Sequence, residues 1–566
     1  MIPSAVLSTV TGEFVSFCFC GRLFLNRLEV VNVNEVFRPQ AAGYSDAGAS
    51  LNRRSMKGFT ATSSSPNEDI NWNSDILRQR GRMLVMSSPV AASAIKTNKT
   101  KVVGTGMKLK STIDGKLLNM SPEAVKEWQQ KAEREFAIWA EKKENCDAIG
   151  VSNFYQMQGL VVANALMSGD VFALRKMYEP TILNPYSLRI HLIEADRVCT
   201  PYRFSRMKGL GYTTDGTNPN NKNKIFDGVE VNRNGMVEAY HICSMYPNQM
   251  ILEPNKMKWT RVKAFGTKTG LPNILHILDT ERPEQYRGVT LLAPVIESLL
   301  NLSRYTQSEL LAALIQTYFT AVIETETNPS MIPIGEVGYG PDNDPNNPPD
   351  SNISENPNEY EMGPGTVLHL KNGEKVVFGN PNIPTSGFDT FFKTICREIG
   401  SALEIPHDIL LKEFNASYSA SRAALMEAWE AFRMRRFWLV NQFCQPVYEI
   451  WLSEAVALGR INAPGFFTDP VIRAAWCKAQ WLGPVQGQLD PMKEVKADIL
   501  AVQHGFKTHE QVAREHGGGD WHENMEILKQ EQKELEDAGL AGGSKNFQNE
   551  PDLNPEDDPD GGEQNA

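Results

Sequence analysis

Residues 288–323 read GVTLLAPVIESLLNLSRYTQSELLAALIQTYFTAVI, and the chain from Asn328 to Asn358 contains PDNDPNNPPD at 341–350. In the first stretch Leu292, Val295, Ile296, Leu299, Leu302, Leu310, Leu314 and Tyr318 mark helical faces by their spacing. Pro294 sits near the start of this helix, where proline is tolerated. The stretch that follows is too rich in Pro, Asn and Asp to form an element. Helical spacing resumes at Phe388–Leu403. A long helix, a long insertion and a second helix are therefore expected, and an insertion of this length inside a folded chain is usually functional or disordered.

Outward from this centre the two sides differ. The C-terminal side reads as almost entirely helical. One helix runs from about Ser419 to Ala457, with Pro446 bending or breaking it. Another is opened by Asp490-Pro491 and continues through Val502. Thr508–Gln511 and Asp520–Glu523 both have the spacing of a capping box. On the N-terminal side, residues 40–75 are rich in Ser, Asn, Gly and Ala and read as an extended arm, with helices expected around Ile76–Met86 and Ala91–Thr100. Val102–Gly106 looks like a strand ending in a turn. Ser121-Pro122 opens a helix whose Val125, Trp128, Ala132, Phe136 and Trp139 fall on one face. A further helix covers about Phe154–Met167 and stops at Gly169-Asp170. Strands are expected at Leu188–Ile193, Ile225–Val231, Glu238–Cys243 and Trp259–Phe265, with a hairpin turn at Asn232–Gly235. The fold class is α+β, and no internal repeat is present.

The net charge of −11 is unevenly placed. From Glu523 to Ala566 there are thirteen acidic and three basic residues, so the rest of the chain is close to neutral. A protein that coats DNA would instead cluster Lys and Arg. Residues 539–566 form an acidic tail rich in Pro, Gly, Asn and Asp, which reads as disordered. The eight cysteines are scattered and include no CxxC pair, which argues against a zinc ribbon and fits a reducing compartment. No run of about 20 apolar residues signals a membrane span. The first 25 residues are fairly apolar but lack a basic region in front, and Glu13 interrupts them, so they read as an ordinary N-terminal segment.

Motifs of catalysis are missing. There is no GxxxxGK[ST] loop, no HExxH and no GxSxG, which weighs against a packaging ATPase, a metalloprotease and a serine hydrolase. His504, His509, His516 and His522 are the densest histidine group, but no cysteine accompanies them and a structural role is the reading. Glu194 and Asp196 read as a strand-end turn stabilised by Arg197 rather than as paired catalytic carboxylates. Arg433, Arg435 and Arg436 form a short basic run, either a solvated or ion-paired face or a phosphate contact. Neither a cofactor nor a metal is expected.

Several segments, taken in order, resemble the lambda-family phage portal proteins: Tyr44–Gly48, Leu77–Arg82 and Val102–Gly106; Leu192–Val198; Asp227–Gly235 leading to Ala239–His241; Arg282–Gly288 leading to Leu292–Val295; Ile405–Leu410 followed by Tyr418–Leu425; and Leu489–Pro491 with Lys493, Glu494, Gly505 and Phe506. The resemblance covers roughly residues 44–538. Residues 1–35 do not resemble the basic helical leader with which such proteins usually start. The resemblance implies a non-enzymatic, ring-forming subunit, usually one of twelve, at one capsid vertex in the virion, assembled in the host cytoplasm. Double-stranded DNA would occupy its channel. Its other partners would be the terminase large subunit, major capsid and scaffold proteins and a head-tail adaptor, with no membrane. It also implies a portal-type fold: an N-terminal arm at 1–75, a mixed α/β wing in 76–285, stem helices in 286–404 with a clip insertion at about 324–387, and a channel loop and helical crown in 405–538. The candidate channel loop carries Lys412, Asn415, Ser417, Tyr418 and Ser419, with a plain helix-helix connector as the other reading. Arg422 is a phosphate contact or, preferably, an ion-pair partner. The alternative is another phage head morphogenesis protein, a major capsid protein or a maturation protease.

Overall fold

Three helices near the N-terminal side begin with the same two residues, Ser then Pro. Serine accepts a hydrogen bond from the backbone N–H three residues on, and proline supplies a helical φ where no N–H is needed. The computed structural model describes residues 54–59, 61, 63–208, 211–247, 257–318, 322–325, 374–377, 387–414, 418–486, 491–517 and 521–538. Two units are distinguished, 1–64 and 65–566. Within the first, the described structure is one 3-10 turn, Arg54–Met56. All that follows concerns the second.

The three Ser-Pro helices are α1 (Pro66–Ser87), α2 (Pro89–Val102) and α3 (Pro122–Ala140), capped by Ser65, Ser88 and Ser121. α1 thus starts at Pro66, well before the expected Ile76, because the Ser65/Glu68 capping box nucleates it. It also faces the opposite way from a simple amphipathic helix. Asn71, Ser74 and Arg78 are buried, while Ile76, Met83 and Met86 are 50%, 61% and 78% exposed. α2 continues to Val102 and a turn follows, so the strand expected at Val102–Gly106 is displaced; β1 is Lys108–Ser111. α3 buries Trp128, Ala132, Phe136 and Trp139, as its spacing predicts.

α4 (Phe154–Ser168) is opened by a reciprocal cap: Gln156 N–H donates to Asn153 Oδ1 at 2.9 Å, and Asn153 N–H donates to Gln156 Oε1 at 3.0 Å. Asn153→Ala removes the Oδ1 acceptor of the first bond and is expected to cost about 1 kcal/mol, read as a lowered thermal midpoint at fixed protein concentration. Gly169 ends α4 with φ 95°, a conformation open to glycine.

Immediately after, β2 (Asp170–Met177) forms the centre of a three-stranded antiparallel sheet between β10 (Ile274–Leu278) and β3 (Leu188–Glu194). Phe172 lies opposite both Ile193 and His276. This sheet separates two cores. Val171, Ala173, Leu188, Ile190, Leu275 and Ile277 belong to the larger, while Phe172, Leu174, Ile193 and Ile274 belong to the smaller. Because both faces are dry, β2 and β10 are apolar at successive positions and lose the alternation that marks a half-buried strand.

The smaller core is closed by a six-stranded meander, β4 (Ser205–Lys208), β5 (Gly211–Thr217), β6 (Lys224–Phe226), β7 (Val229–Val231), β8 (Val237–Cys243) and β9 (Trp259–Lys263), in sequential antiparallel order. The single strand expected over Ile225–Val231 is in fact a hairpin. Asp227 and Gly228 both have positive φ, 44° and 85°, and form its two-residue turn between paired Phe226 and Val229. Asn232–Gly235 makes the next turn, as expected, closed by Gly235 N–H on Asn232 O at 3.1 Å.

The larger core draws on both sides of the chain. Phe136 is ringed by Trp139, Phe154, Tyr448, Trp451 and Trp481, with centroids 5.1–5.9 Å away. β13 (Ala479–Leu482) pairs antiparallel with β1. The long helix of the central stretch is α5 (Ile296–Tyr318) and its successor is α6 (Phe388–Ala402). Between them, β11 (Val322–Thr325) pairs antiparallel with β12 (Glu374–Val377). The expected 419–457 helix is α7 (Tyr418–Leu439), a π-turn Val440–Cys444 and α8 (Gln445–Ala457). Pro446 has no N–H to give, and the chain resolves this by widening the preceding turn and restarting with proline in a first-turn position. α9 (Pro470–Cys477), α10 (Pro491–Gln503), α11 (His509–Gly517) and α12 (Trp521–Asp537) complete a mixed α/β chain. The Thr508/Gln511 capping box forms, with both bonds present, while Asp520 lies outside the described residues. Most of the 324–387 segment and all of the acidic tail at 539–566 also lie outside them. Among the described residues no helix is long and apolar enough to cross a membrane.

Candidate functional site

The segment singled out for a channel role starts at the end of the short helix His407–Leu411. Lys412 caps it in the left-handed conformation, φ 58°, and is exposed. Asn415 and Ser417 lie outside the described residues. Tyr418 and Ser419 are the first two residues of α7. Arg422, on the first turns of α7, points to α10, with Nη2 3.6 Å from Glu494 Oε1. It lines a groove of about 580 Å³ between α7 and the α10–α11 pair. Of the groove's other cations, Arg436 donates to backbone carbonyls and several of the rest are answered by acids. Lys507 pairs with Asp498 and Glu515, Arg514 with Glu510, and His516 with Asp498.

The basic run on α7 divides by role. Arg435 donates to Asn98 Oδ1, Leu403 O and Glu404, and Arg436 donates to the carbonyls of Lys101 and Val102 while packing on Trp429. These two fasten α7 to α2. Arg433 is exposed and pairs with Glu430 on its own helix at 3.4 Å. The histidines do not converge. His509 stacks on Trp521, His516 pairs with Asp498, and no group of three metal-binding side chains exists among the described residues. Glu194 and Asp196 do sit at a strand-end 3-10 turn, but the cation between them is Arg82 from α1. Arg197 instead donates to Cys243 O at 3.2 Å.

What the structure does bring together is a buried charge cluster where the two cores meet. Arg287 has no exposed side-chain surface. Its Nε donates to Asp170 Oδ2 at 2.6 Å and its Nη2 to Asp170 Oδ1 at 3.2 Å and to Ala195 O at 2.9 Å. Its Nη1 donates to Val198 O at 2.8 Å and to Asp227 Oδ2 at 2.7 Å. Arg78 of α1 donates to the same Asp227 oxygen at 2.8 Å. His276 Nε2 lies 3.2 Å from Asp170 Oδ2 and its ring stacks on Phe172. One planar guanidinium thus ties α1 through Asp227, the start of β2, the turn after β3 and the β6–β7 hairpin. Burial alone would raise the Asp170 carboxyl, but Arg287, His276 and Arg78 outweigh it and hold it well below the ordinary range. Burial lowers His276, leaving a neutral ring that donates to the carboxylate.

Beside this cluster two backbones touch. A Cβ on Gly288 would stand 1.9 Å from Gly169 O, and one on Gly169 would stand 2.5 Å from Gly288 C. Gly288 N–H donates to Asp170 Oδ2 at 3.1 Å. A second buried carboxylate, Glu230, is held by Arg261 through two 2.8 Å bonds, with His241, Asn218, Asn221 and Asn223 around it. Burial raises it, and these partners bring it far below its ordinary value.

None of Asp170, Asp227, Arg287, Arg78 or Glu230 stands out as a site by residue type and spacing. The signal was present in another form. Arg78, Ala195, Val198, Asp227, Arg287 and Gly288 all lie within the segments quoted above for their family resemblance, and the structure makes those segments meet here. The arrangement can hold elements together. It offers no open cavity and no nucleophile beside a base.

The family model described as phage portal protein, lambda family, matches residues 52–436. Portal protein B of Escherichia phage lambda is 22% identical over 472 residues, covering 81% of this chain and 83% of that protein. The portal protein of Escherichia phage N15 is 23% identical over 517 residues, covering 88% of this chain and 91% of that protein. Among solved structures, a chain from the neck of a native gene transfer agent particle computed with C12 symmetry covers 78% of this chain and 92% of its own, at 13% identity and a TM-score of 0.39.

Proposed function

The chain belongs to the lambda family of phage portal proteins and has the function of a portal protein, and on that premise we propose that it assembles as a closed homo-oligomeric ring, a dodecamer, whose lumen passes double-stranded DNA at one capsid vertex. The observation that carries this reading is the family match over 52–436, which spans every element from α1 into α7 and encloses the buried charge cluster. Its partners would be the terminase large subunit during packaging, the major capsid and scaffold proteins around it, and a head-tail adaptor afterwards. Its place would be the virion, reached by assembly in the host cytoplasm. Its role is structural, not enzymatic.

Two physical features support the ring. A closed ring repeats one head-to-tail interface by rotation, which requires unlike surfaces on the two sides of each protomer. The outward face of α1, with Ile76, Met83 and Met86, is apolar where a solvent face would be polar, as a contact surface is. The body is also nearly neutral once the acidic C-terminal segment is set aside. A conduit benefits from that, because strong phosphate neutralisation would hold DNA rather than let it slide.

In this reading the wing lies mainly in 76–285, the stem in the helices near 289–323 and 388–404, the clip in 324–387 and the crown in 425–538. The β11–β12 ribbon supports an insertion at the clip, since it pairs the two sides of that segment. The candidate channel-facing segment is Lys412–Ser421, whose last residues begin α7. Negative-stain imaging with native mass spectrometry tests the ring. A closed ring of about a dozen subunits with a central hole is expected, and a stable monomer at high concentration would overturn the proposal. Deleting Asn415–Ser419 is expected to leave rings intact and impair DNA retention. Normal packaging by that variant would remove the loop assignment without touching the ring.

A further inference from the structure

The loop that joins β2 to β3 carries an apolar tip. Thr181 and Asn184 close it by exchanging backbone bonds, Thr181 N–H to Asn184 O at 2.8 Å and Asn184 N–H to Thr181 O at 3.1 Å. Pro180 and Pro185 stiffen the chain on either side. The Asn184 side chain is buried, and its Nδ2 donates to Asn145 O at 3.5 Å. At the tip itself Ile182 is fully exposed and Leu183 is 81% exposed. Gly, Asn, Asp and Ser are the ordinary residues of such a turn. Two branched apolar side chains held in solvent on a closed turn cost free energy until something covers them.

A hollow of about 570 Å³ opens beside the start of α3. Leu117, Leu118, Met120, Trp128, Ile472 and Trp476 supply its apolar lining. The two indoles, with centroids 4.8 Å apart, have their N–H groups satisfied inside the fold. Trp128 Nε1–H donates to Asn462 O at 2.8 Å and Trp476 Nε1–H to Pro464 O at 3.2 Å. What they offer to an occupant is carbon, so an apolar group fits the hollow and a polar one would go unpaired.

The tip does not reach the hollow of its own chain. Asn145, which holds Asn184, donates from its Nδ2 to Ile138 O at 2.8 Å, and this ties the tip to the C-terminal end of α3. Ala124 and Glu127, at the hollow, lie on the first turns of the same helix. Ala124 and Ile138 are about 20 Å apart along the axis. An apolar tip at one end of a rigid helix and an apolar hollow at the other are the unlike surfaces that a head-to-tail contact joins. Charge agrees with the match. Glu179, just before the turn, is exposed, and so is Lys131, which lines the hollow. We propose that Ile182 and Leu183 of one copy insert into the hollow of a second copy, with Glu179 of the first beside Lys131 of the second. This rests on the reading of the chain as a ring-forming portal subunit, and adds which surfaces of two neighbours meet. Each copy gives one tip and receives one, so a single contact repeats around the ring.

The test uses the full-length protein, assembled from a mixture of isotope-labelled and unlabelled subunits. A carbodiimide, which joins an amine directly to a carboxylate, is applied and the links are mapped by peptide mass spectrometry. A Lys131–Glu179 link between a labelled and an unlabelled peptide is expected. Native mass spectrometry then reads assembly in variants. Ile182→Ser combined with Leu183→Ser, both at exposed positions, should leave the circular dichroism spectrum unchanged and raise the concentration for half-assembly at least about tenfold, because two branched side chains lose their burial. Glu179→Lys and Lys131→Glu should each weaken assembly and, combined, restore it. Rings formed by the Ile182/Leu183 variant at the wild-type concentration would overturn this contact and leave the ring reading standing. A Lys131–Glu179 link confined to single chains would do the same. A wild type that stays monomeric would overturn both.

Discussion

Arg287→Met is expected to destabilise the folded chain by about 3–5 kcal/mol, the largest loss we anticipate from removing any one charge. The substitution keeps the length of the stem and takes away the guanidinium. Asp170 then stays fully buried without its bidentate partner, and Asp227 keeps only Arg78. The carbonyls of Ala195 and Val198 lose their donor as well. Thermal midpoints of variant and wild type, compared at equal protein concentration because assembly itself shifts them, measure the loss. A second change, Asp170→Asn, should recover part of it by removing the stranded charge, whereas independent sites would add their costs. A variant within about 1 kcal/mol of wild type would show that the cluster is not the fastening described. The pH response follows from the sign of the shift. Asp170 titrates lower in the folded than in the unfolded chain. Its contribution is therefore complete above about pH 4, the unfolded value, and drains away as the pH falls toward the folded one. Without Arg287 this acid-side slope should shrink.

Gly288→Ala is expected to cost about 3 kcal/mol or more, the top of the usual range for an overpacked site. The added methyl would meet Gly169 O at 1.9 Å and Gly169 C at 2.3 Å. These are backbone atoms at the end of α4, so no side-chain rotation relieves the overlap. The chain at 169–170 or at 288–289 must move, and either movement carries Asp170 away from Arg287. Gly387→Ala is the control. It caps α6 with φ −94° and nothing lies within 4 Å of an added Cβ, so a change of under about 0.5 kcal/mol is expected. Equal melting of the two variants would sink the close-approach argument.

Elements with one wet face and a cap were legible from residues alone. α3 announces itself by Ser121-Pro122 and a clean row of apolar positions, and the 232–235 turn by its Asn and Gly. β2 and β10 were not, because a strand dry on both faces shows no period. The β6–β7 hairpin was hidden in a run of apolar residues whose Asp227-Gly228 pair is the only punctuation. α1 was read as starting too late because its inner face is polar, an arrangement that makes sense only once Arg78 has Asp227 to reach. The charge cluster is illegible for a related reason. Its four charged members come from four separate stretches, and a lone Asp or Arg at the edge of an apolar run looks like solvent-facing punctuation until the chain is folded. Family resemblance marked several of these stretches without saying that they touch.

The β11–β12 ribbon has a consequence for how such a chain can change over time. Val322 stands opposite Val377 and Thr325 opposite Glu374, so the strands entering and leaving the insertion run side by side, about 5 Å apart. The chain therefore enters and leaves the stretch between them at two adjacent points. Because those two points are tied to each other, a change of length between them leaves the pairing, and the frame behind it, in place.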